Sequence, residues 1–312
     1  MKLTTIIAGA DVSVPSDQAI DRAAAIAAKH GAKLLLVHAL GNEAPIGETD
    51  RDVLKHLGEV SAAVRTEVAK RLAAKLEALL AQGIEAELLT PSGPPGEVVG
   101  QLARERGAQL IVVGTHGHTG IQRFLLGSVA TAILRQAPCD VLVTRGNAVN
   151  TVFAKPLVAV DFSPASKRAL RSAAALAQPG APIEVLHAWQ LPAGSVGAAF
   201  FGVDRFPWNT IRDAVVASAK KKGAALVAEG TSLGHPLHLE LVQGAPTPVI
   251  THAAEAGGHD LIAVGTHGHG GFRKLLLGSV AEGVIRHANC SVLVAHGEHA
   301  GDTGKFKKVE KL

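Results

Sequence analysis

The sequence predicts an α/β protein of two tandem domains, each doubly wound around a five-stranded parallel sheet. Three observations predict it. The chain repeats itself at an offset near 150 residues. In each half, apolar runs of strand length alternate with segments of helix length, and the strand runs are apolar at nearly every position. Strands separated by helices lie parallel through crossovers, and a continuously apolar strand is covered on both faces. With 312 residues, each half is large enough to bury its own core. The expected limits are 1–148 and 152–299, with a basic tail at 300–312.

The repeat holds one register from end to end. "TTIIAGADVSVPSDQAI" answers "KPLVAVDFSPASKRAL", and "AKLLLVHAL" answers "APIEVLHAW". "ERGAQLIVVGTHGH" answers "AGGHDLIAVGTHGH", and "GSVATAILRQAPCDVLV" answers "GSVAEGVIRHANCSVLV". Between 114–130 and 265–281, twelve of seventeen positions are identical, which makes this a duplicated domain rather than a short solenoid repeat.

The elements follow in order. Residues 3–9 are an apolar run closed by Asp and Pro, hence a buried strand. Residues 16–31 read as a helix with a serine cap and a glycine stop. A second strand covers 33–39, and a loop rich in Gly, Pro and Asn leads to a long Ala/Leu helix over 59–82. Then come a strand at 84–89, a helix at 95–106 opening on proline, a strand at 109–113, a helix at 128–136 and a fifth strand at 139–144. The second half repeats this order from about 155 to 296, with a longer aromatic-bearing loop, "QLPAGSVGAAFFGVDRFPW", after its second strand.

Composition excludes several classes. Aromatic residues are 3% and Tyr is absent, so no stacking platform for single-stranded nucleic acid is expected. The net charge of +4 is dispersed apart from "GKFKKVEKL" at the end, read as a solvated tail rather than a nucleic-acid or membrane patch. The opening "MKLTTIIAGADVS" has too short an apolar run for a signal peptide or a membrane span, which makes a cytoplasmic address the default. Cys139 and Cys290 each open an apolar run and read as buried strand residues, with a disulfide between them the less favoured reading.

Doubly wound domains bind ligands beyond the carboxyl ends of their strands. Asp11 and Asp161 follow the first strands, Ala39 and Ala188 end the second, and "GTHGHTGIQRFLLGS" and "GTHGHGGFRKLLLGS" follow the fourth. The loop spacing is G-x-x-G, nine residues, then G-S. Glycine at the strand exit leaves room for a ligand beside the backbone, and the Gly-Ser pair opens a helix whose free amides and dipole favour phosphate. No G-K-[ST] follows and no dinucleotide fingerprint follows the first strand, so this is neither of those loops. Two other readings stay open: the glycines as plain turn residues, and His116, His118, His267 and His269 as metal ligands, zinc above all. His38 and His187, at strand ends, read as satisfied polar residues. Asp11 and Asp161 could hold magnesium, and Arg123, Arg273 and Lys274 lie in the loops, but no residue is placed as a base. Binding with at most slow hydrolysis is expected, not a dedicated enzyme.

The G-x-x-G-(nine)-G-[S/T] pattern, Asp after strand one and "VH" near the end of strand two resemble the universal stress protein family over nearly the whole chain, as a tandem pair. The resemblance implies a Rossmann-like or flavodoxin-like fold whose last strands pair the halves into an internal pseudo-dimer. It also implies the ATP-binding branch, hence an adenine nucleotide, with magnesium, and a role in stress response through conformation, an unknown protein partner or a homodimer. Carried over, the first site is Asp11, Ala39, Val113, Gly114, Gly117, Gly127, Ser128 and Val129. The second is Asp161, Ala188, Val264, Gly265, Gly268, Gly278, Ser279 and Val280. Ala39 and Ala188 stand where the family often has Val, and Ala130 and Ala281 where a hydroxyl residue sometimes stands.

Overall fold

A computed structural model of the chain describes residues 2–41, 51–115, 126–146, 152–191, 208–266 and 277–296. Strand β1 (Thr5–Gly9) leads to helix α1 (Val14–His30), then β2 (Lys33–Val37), α2 (Arg51–Ala81), β3 (Ala86–Leu89), α3 (Pro95–Glu105), β4 (Leu110–Gly114), α4 (Ser128–Gln136) and β5 (Asp140–Thr144). The second half gives β6 (Pro156–Ala159), α5 (Pro164–Leu176), β7 (Ile183–Trp189), α6 (Trp208–Thr231), β8 (Leu237–Gln243), α7 (Pro246–Ala256), β9 (Leu261–Gly265), α8 (Ser279–His287) and β10 (Ser291–Ala295).

All ten strands share one sheet, in the order β3-β2-β1-β4-β5-β10-β9-β6-β7-β8. Pairing within each half is parallel, and the halves meet where β5 and β10 run antiparallel, with Val143 opposite Val292 and Val141 opposite Val294. The fold is therefore the expected tandem of doubly wound domains, and the last strands join them as an internal pseudo-dimer.

Period-two alternation within buried strands sends side chains to two cores. Ile6, Leu34, Leu36 and Val112 face α1 and α2, while Ile7, Leu35, Val37 and Ile111 face α3 and α4. Each core crosses the centre of the sheet, through Leu142 and Leu293 on one face and Val141, Val143, Val292 and Val294 on the other. α2 joins the first core by a stripe at Val68, Leu72, Leu76 and Leu79, a helical spacing.

Polar contacts also cross between the halves. Lys29 Nζ donates to the carbonyls of Ala175 (3.0 Å) and Ala177 (2.7 Å) at the C-terminal end of α5, the end that favours a cation. Asp140, fully buried, pairs with Arg168 Nε at 2.8 Å, accepts from the Ser172 hydroxyl, and accepts the His296 amide at 3.2 Å. Its counterpart Ser291 accepts only the Arg145 amide among these contacts, at 3.2 Å.

The strands fall within about two residues of expectation at each end, and two helix starts differ as well. α1 begins at Val14, and its cap is Ser13, whose hydroxyl accepts the Ser16 amide; Pro15 sits early in the first turn, where its missing N–H costs nothing. Ser16 is thus inside the helix. α2 begins at Arg51, two turns before the expected start at 59, so Gly58 lies inside the helix. Gly31 stops α1 in the left-handed conformation, φ 62°, as expected. Residues 300–312 lie outside the described residues.

Candidate functional site

At the carboxyl edge of the first half, β1 and β2 are laced together. Ala10 N–H donates to the Val37 carbonyl at 2.9 Å, and His38 Nδ1 lies 2.7 Å from the Ala10 carbonyl. A carbonyl only accepts, so Nδ1 carries the proton. The chain then turns sharply. The Asp11 carboxylate accepts from the Ser13 amide at 3.0 Å and from its hydroxyl, while the Asp11 amide donates to Ser16 Oγ at 3.0 Å. This Asx turn holds Val12 at φ 55°, a region β-branched residues rarely adopt. The second half repeats the device: Phe162 sits at φ 65°, Asp161 accepts the Ser163 amide at 3.0 Å, and His187 Nδ1 meets the Val160 carbonyl at 2.7 Å.

The fourth-strand loop is tied at its base. Gly127 N–H donates to the Thr115 carbonyl at 2.8 Å, and Gly278 N–H to Thr266 at the same distance. Gly127 is the N-cap of α4 and Gly278 that of α8, and neither helix has a side-chain cap. By contrast α1 and α5 are capped by Ser13 and Ser163. The first-turn amides of α4 and α8 have no carbonyl ahead of them in their helix and keep the positive end of the dipole unoffset by a cap.

Between these elements lies a cleft of about 280 Å³, walled by the ends of β1, β2 and β4, by Pro95 and Val99 of α3, and by the start of α4. Asp11, Ala39, Val113, Gly114, Gly127, Ser128 and Val129 all line it. Val129 does so while 47% exposed. The equivalent cleft of the second half, about 120 Å³, is lined by Asp161, Ala188, Val264, Gly265 and Val280. Gly278 and Ser279 begin α8 but are not part of its wall. Gly117 and Gly268 lie outside the described residues, as do Arg123, Arg273 and Lys274.

Two glycines are held in place by packing as well. A Cβ on Gly114 would stand 2.7 Å from the Pro15 carbonyl oxygen, and one on Gly265 2.8 Å from the Ala165 Cβ. The close approach of α1 and α5 to the strand ends already requires glycine here, and both glycines also line the clefts. Pro95 and Val99 escape sequence reasoning altogether. They come from α3, and only the order β3-β2-β1-β4 swings α3 over the site.

Among the described residues no three His, Cys, Asp or Glu side chains gather as metal ligands. His116, His118, His267 and His269 lie outside them. Cys139 and Cys290 are free thiols standing one residue before β5 and β10 rather than on them, Cys139 buried and Cys290 half-buried. Both are pushed up to about 12, first by burial and then by Asp140 and Asp260 respectively. Among the described residues no helix is long and apolar enough to cross a membrane.

Known proteins give the same picture. A universal stress protein from Mycolicibacterium smegmatis is 28% identical over 306 residues, covering 93% of this chain and 96% of that protein. The universal stress protein A homolog 1 of Coxiella burnetii is 37% identical over 140 residues, 44% of this chain and 92% of that protein. The crystal structure of a universal stress protein from Archaeoglobus fulgidus DSM 4304 superposes with a TM-score of 0.62 at 21% identity, over 94% of this chain and 96% of that one, and so shares the fold. A family model described as the universal stress protein family matches twice, at residues 2–145 and 153–296. The chain belongs to the universal stress protein family, as a tandem of two of its domains.

Proposed function

We propose that the cleft of the first half binds ATP and that the chain is a nucleotide-dependent stress-response protein which acts through conformation or a partner. One observation carries this reading: an apolar wall and an uncapped helix N-terminus face the same cavity at the carboxyl edge of the sheet. Val37, Val99 and Ile133 offer aliphatic surface for a purine, and Asp11 offers a carboxylate to ribose hydroxyls. The amides of Ser128 and Val129, with the Ser128 hydroxyl, suit phosphate oxygens. Magnesium accepts a single carboxylate when phosphates and water complete its shell. Asp11 is the described carboxylate of the cleft, so the residues present fit a metal brought in with the nucleotide. The ion would neutralise phosphate charge.

Turnover is not what this cleft favours. Rapid phosphoryl transfer needs a positioned base and cationic clamps. Among the described lining residues there is no Lys or Arg, and His38 has its Nδ1 proton committed to the Ala10 carbonyl. The reading is therefore a binder with slow hydrolysis at most.

Mass spectrometry of small molecules released from the denatured purified chain should reveal an adenine nucleotide, and ATP should bind the stripped protein. Gly127→Asp tests the location. Gly127 has φ −59° and ψ 152°, which any residue adopts, and Asp is a favoured N-cap, so α4 persists while a carboxylate occupies the anion position. ATP affinity should fall at least a hundredfold. Undiminished affinity would remove this cleft as the site.

A further inference from the structure

The two clefts share a backbone frame but not a wall. Ala10 N–H to Val37 O is 2.9 Å in the first half, and Val160 N–H to Leu186 O is 2.8 Å in the second. The histidine clasps and the tied loop bases also match. The side chains do not. Where the first cleft has Gly9 and Ala10, the second has Ala159 and Val160. Where the first has Val37 and Val99, the second has Leu186 and Ile250. Each exchange adds carbon to the second wall. The opposite exchange, Ile133 to Val284, falls where the second cleft has no lining residue. Every other described lining residue of the first cleft has the same residue at the matching position of the second half.

The consequence is volume. The first cleft, at about 280 Å³, stands near the lower end of small-molecule pockets, which run roughly 300–1,000 Å³. The second, at about 120 Å³, holds less than half of that. Leu186 and Ile250 are packed into the core around them, at 0% and 2% exposure, so they cannot swing aside without leaving a void. Charge leans the same way. The first turn of α4 has no acidic residue, whereas α8 has Glu282, 3.3 Å from Arg286, where the first half has Thr131. A carboxylate in that turn offsets the dipole that would attract phosphate.

We infer that the chain binds one nucleotide, in its first half, and that Val160, Leu186 and Ile250 close the second cleft to it. The second domain is then a packed structural partner for the binding one. This rests on the reading that the first cleft takes ATP.

Calorimetric titration of the full chain with ATP and magnesium separates the outcomes. One equivalent should bind, and Gly127→Asp should abolish it. In the Gly127→Asp background, Val160→Ala/Leu186→Val/Ile250→Val should restore one equivalent. Should that triple variant not fold, the converse, Ala10→Val/Val37→Leu/Val99→Ile, should weaken ATP at least tenfold, and unchanged affinity would overturn the inference. Two equivalents within tenfold of each other in the unmodified chain would overturn it while leaving nucleotide binding intact. So would one equivalent surviving Gly127→Asp. No binding at all by the unmodified chain would overturn the nucleotide reading and this inference with it.

Discussion

The two halves treat their cores and their clefts differently. In the first half, α3 and α4 cross so closely that a Cβ on Gly96 would stand 2.6 Å from that of Ala132. At the matching positions of α7 and α8 the small residue has changed sides: Thr247 faces Gly283, whose added Cβ would meet the threonine hydroxyl at 2.7 Å. Bulk gained on one helix is lost on the other, and the crossing is kept. In the clefts no such cancellation occurs, since the exchanges along the second wall all add bulk. Packing is kept by compensation, whereas the second cleft is narrowed without any.

The centre of the sheet gives the largest test of this asymmetry. Asp140 is buried with Arg168 and Ser172 around it, while Ser291 at the matching position makes a single neutral contact with the Arg145 amide. Removing one member of a buried ion pair leaves a charge uncompensated, which costs about 3–5 kcal/mol. Asp140→Ala should lose that much in denaturant unfolding, against about 1 kcal/mol for Ser291→Ala. Equal losses would mean that the centre is symmetric in energy if not in sequence.

Next in size is the helix crossing. Gly96→Thr places the second half's residue against Ala132 and should cost about 1–3 kcal/mol by overpacking. Adding Ala132→Gly supplies the second half's gap. A double-mutant cycle should then show a favourable coupling of at least about 0.5 kcal/mol. Additivity within error would break the claim that the swap is compensatory.

Smaller effects are expected at the thiols. Cys139 and Cys290 occupy matching places, and both are pushed up to about 12, so little thiolate exists near neutrality. Iodoacetamide at pH 8 should modify neither in the folded chain and both after denaturation. Rapid modification of one alone would show a looser half.

The smallest effect is acid sensitivity. Burial is the main cause holding His30 below its ordinary value of 6.5, with Lys29 also lowering it, while its contact with the Ala175 carbonyl raises it. The folded chain therefore binds this proton less readily than the unfolded one. Stability at His30 is present above about pH 6.5 and declines as pH falls through that value. The second half has Pro179 at the matching place, just before Gly180, the counterpart of Gly31. His30→Gln should flatten the dependence of melting temperature on pH between about 5 and 7, and an unchanged slope would assign the sensitivity elsewhere.

Much of this was legible before the structure. Strands such as Leu110–Gly114 announce themselves as aliphatic runs, and α4 is bounded by Gly127 and by Pro138 just beyond its end. The start of α2 is hard to read because Gly58, a weak helix former, stands between its first turns and the Ala/Leu run. The cap of α1 is ambiguous in the sequence because Ser13 and Ser16 both offer a hydroxyl, and only Pro15 in the first turn decides for Ser13. Site residues at strand ends could be found from the loop pattern. Pro95 and Val99 could not, since they reach the cleft only through the strand order. Nor could the closing of the second cleft, because each exchange is a mild aliphatic one whose weight appears only when four converge on one wall.

The most direct test of the asymmetry is a crystal structure of the full chain grown with a saturating non-hydrolysable ATP analogue and magnesium. Density is expected in the first cleft, with phosphates at the amides of Ser128 and Val129, and none between Val160, Leu186 and Ile250. Analogue in both clefts, or only in the second, would contradict the account.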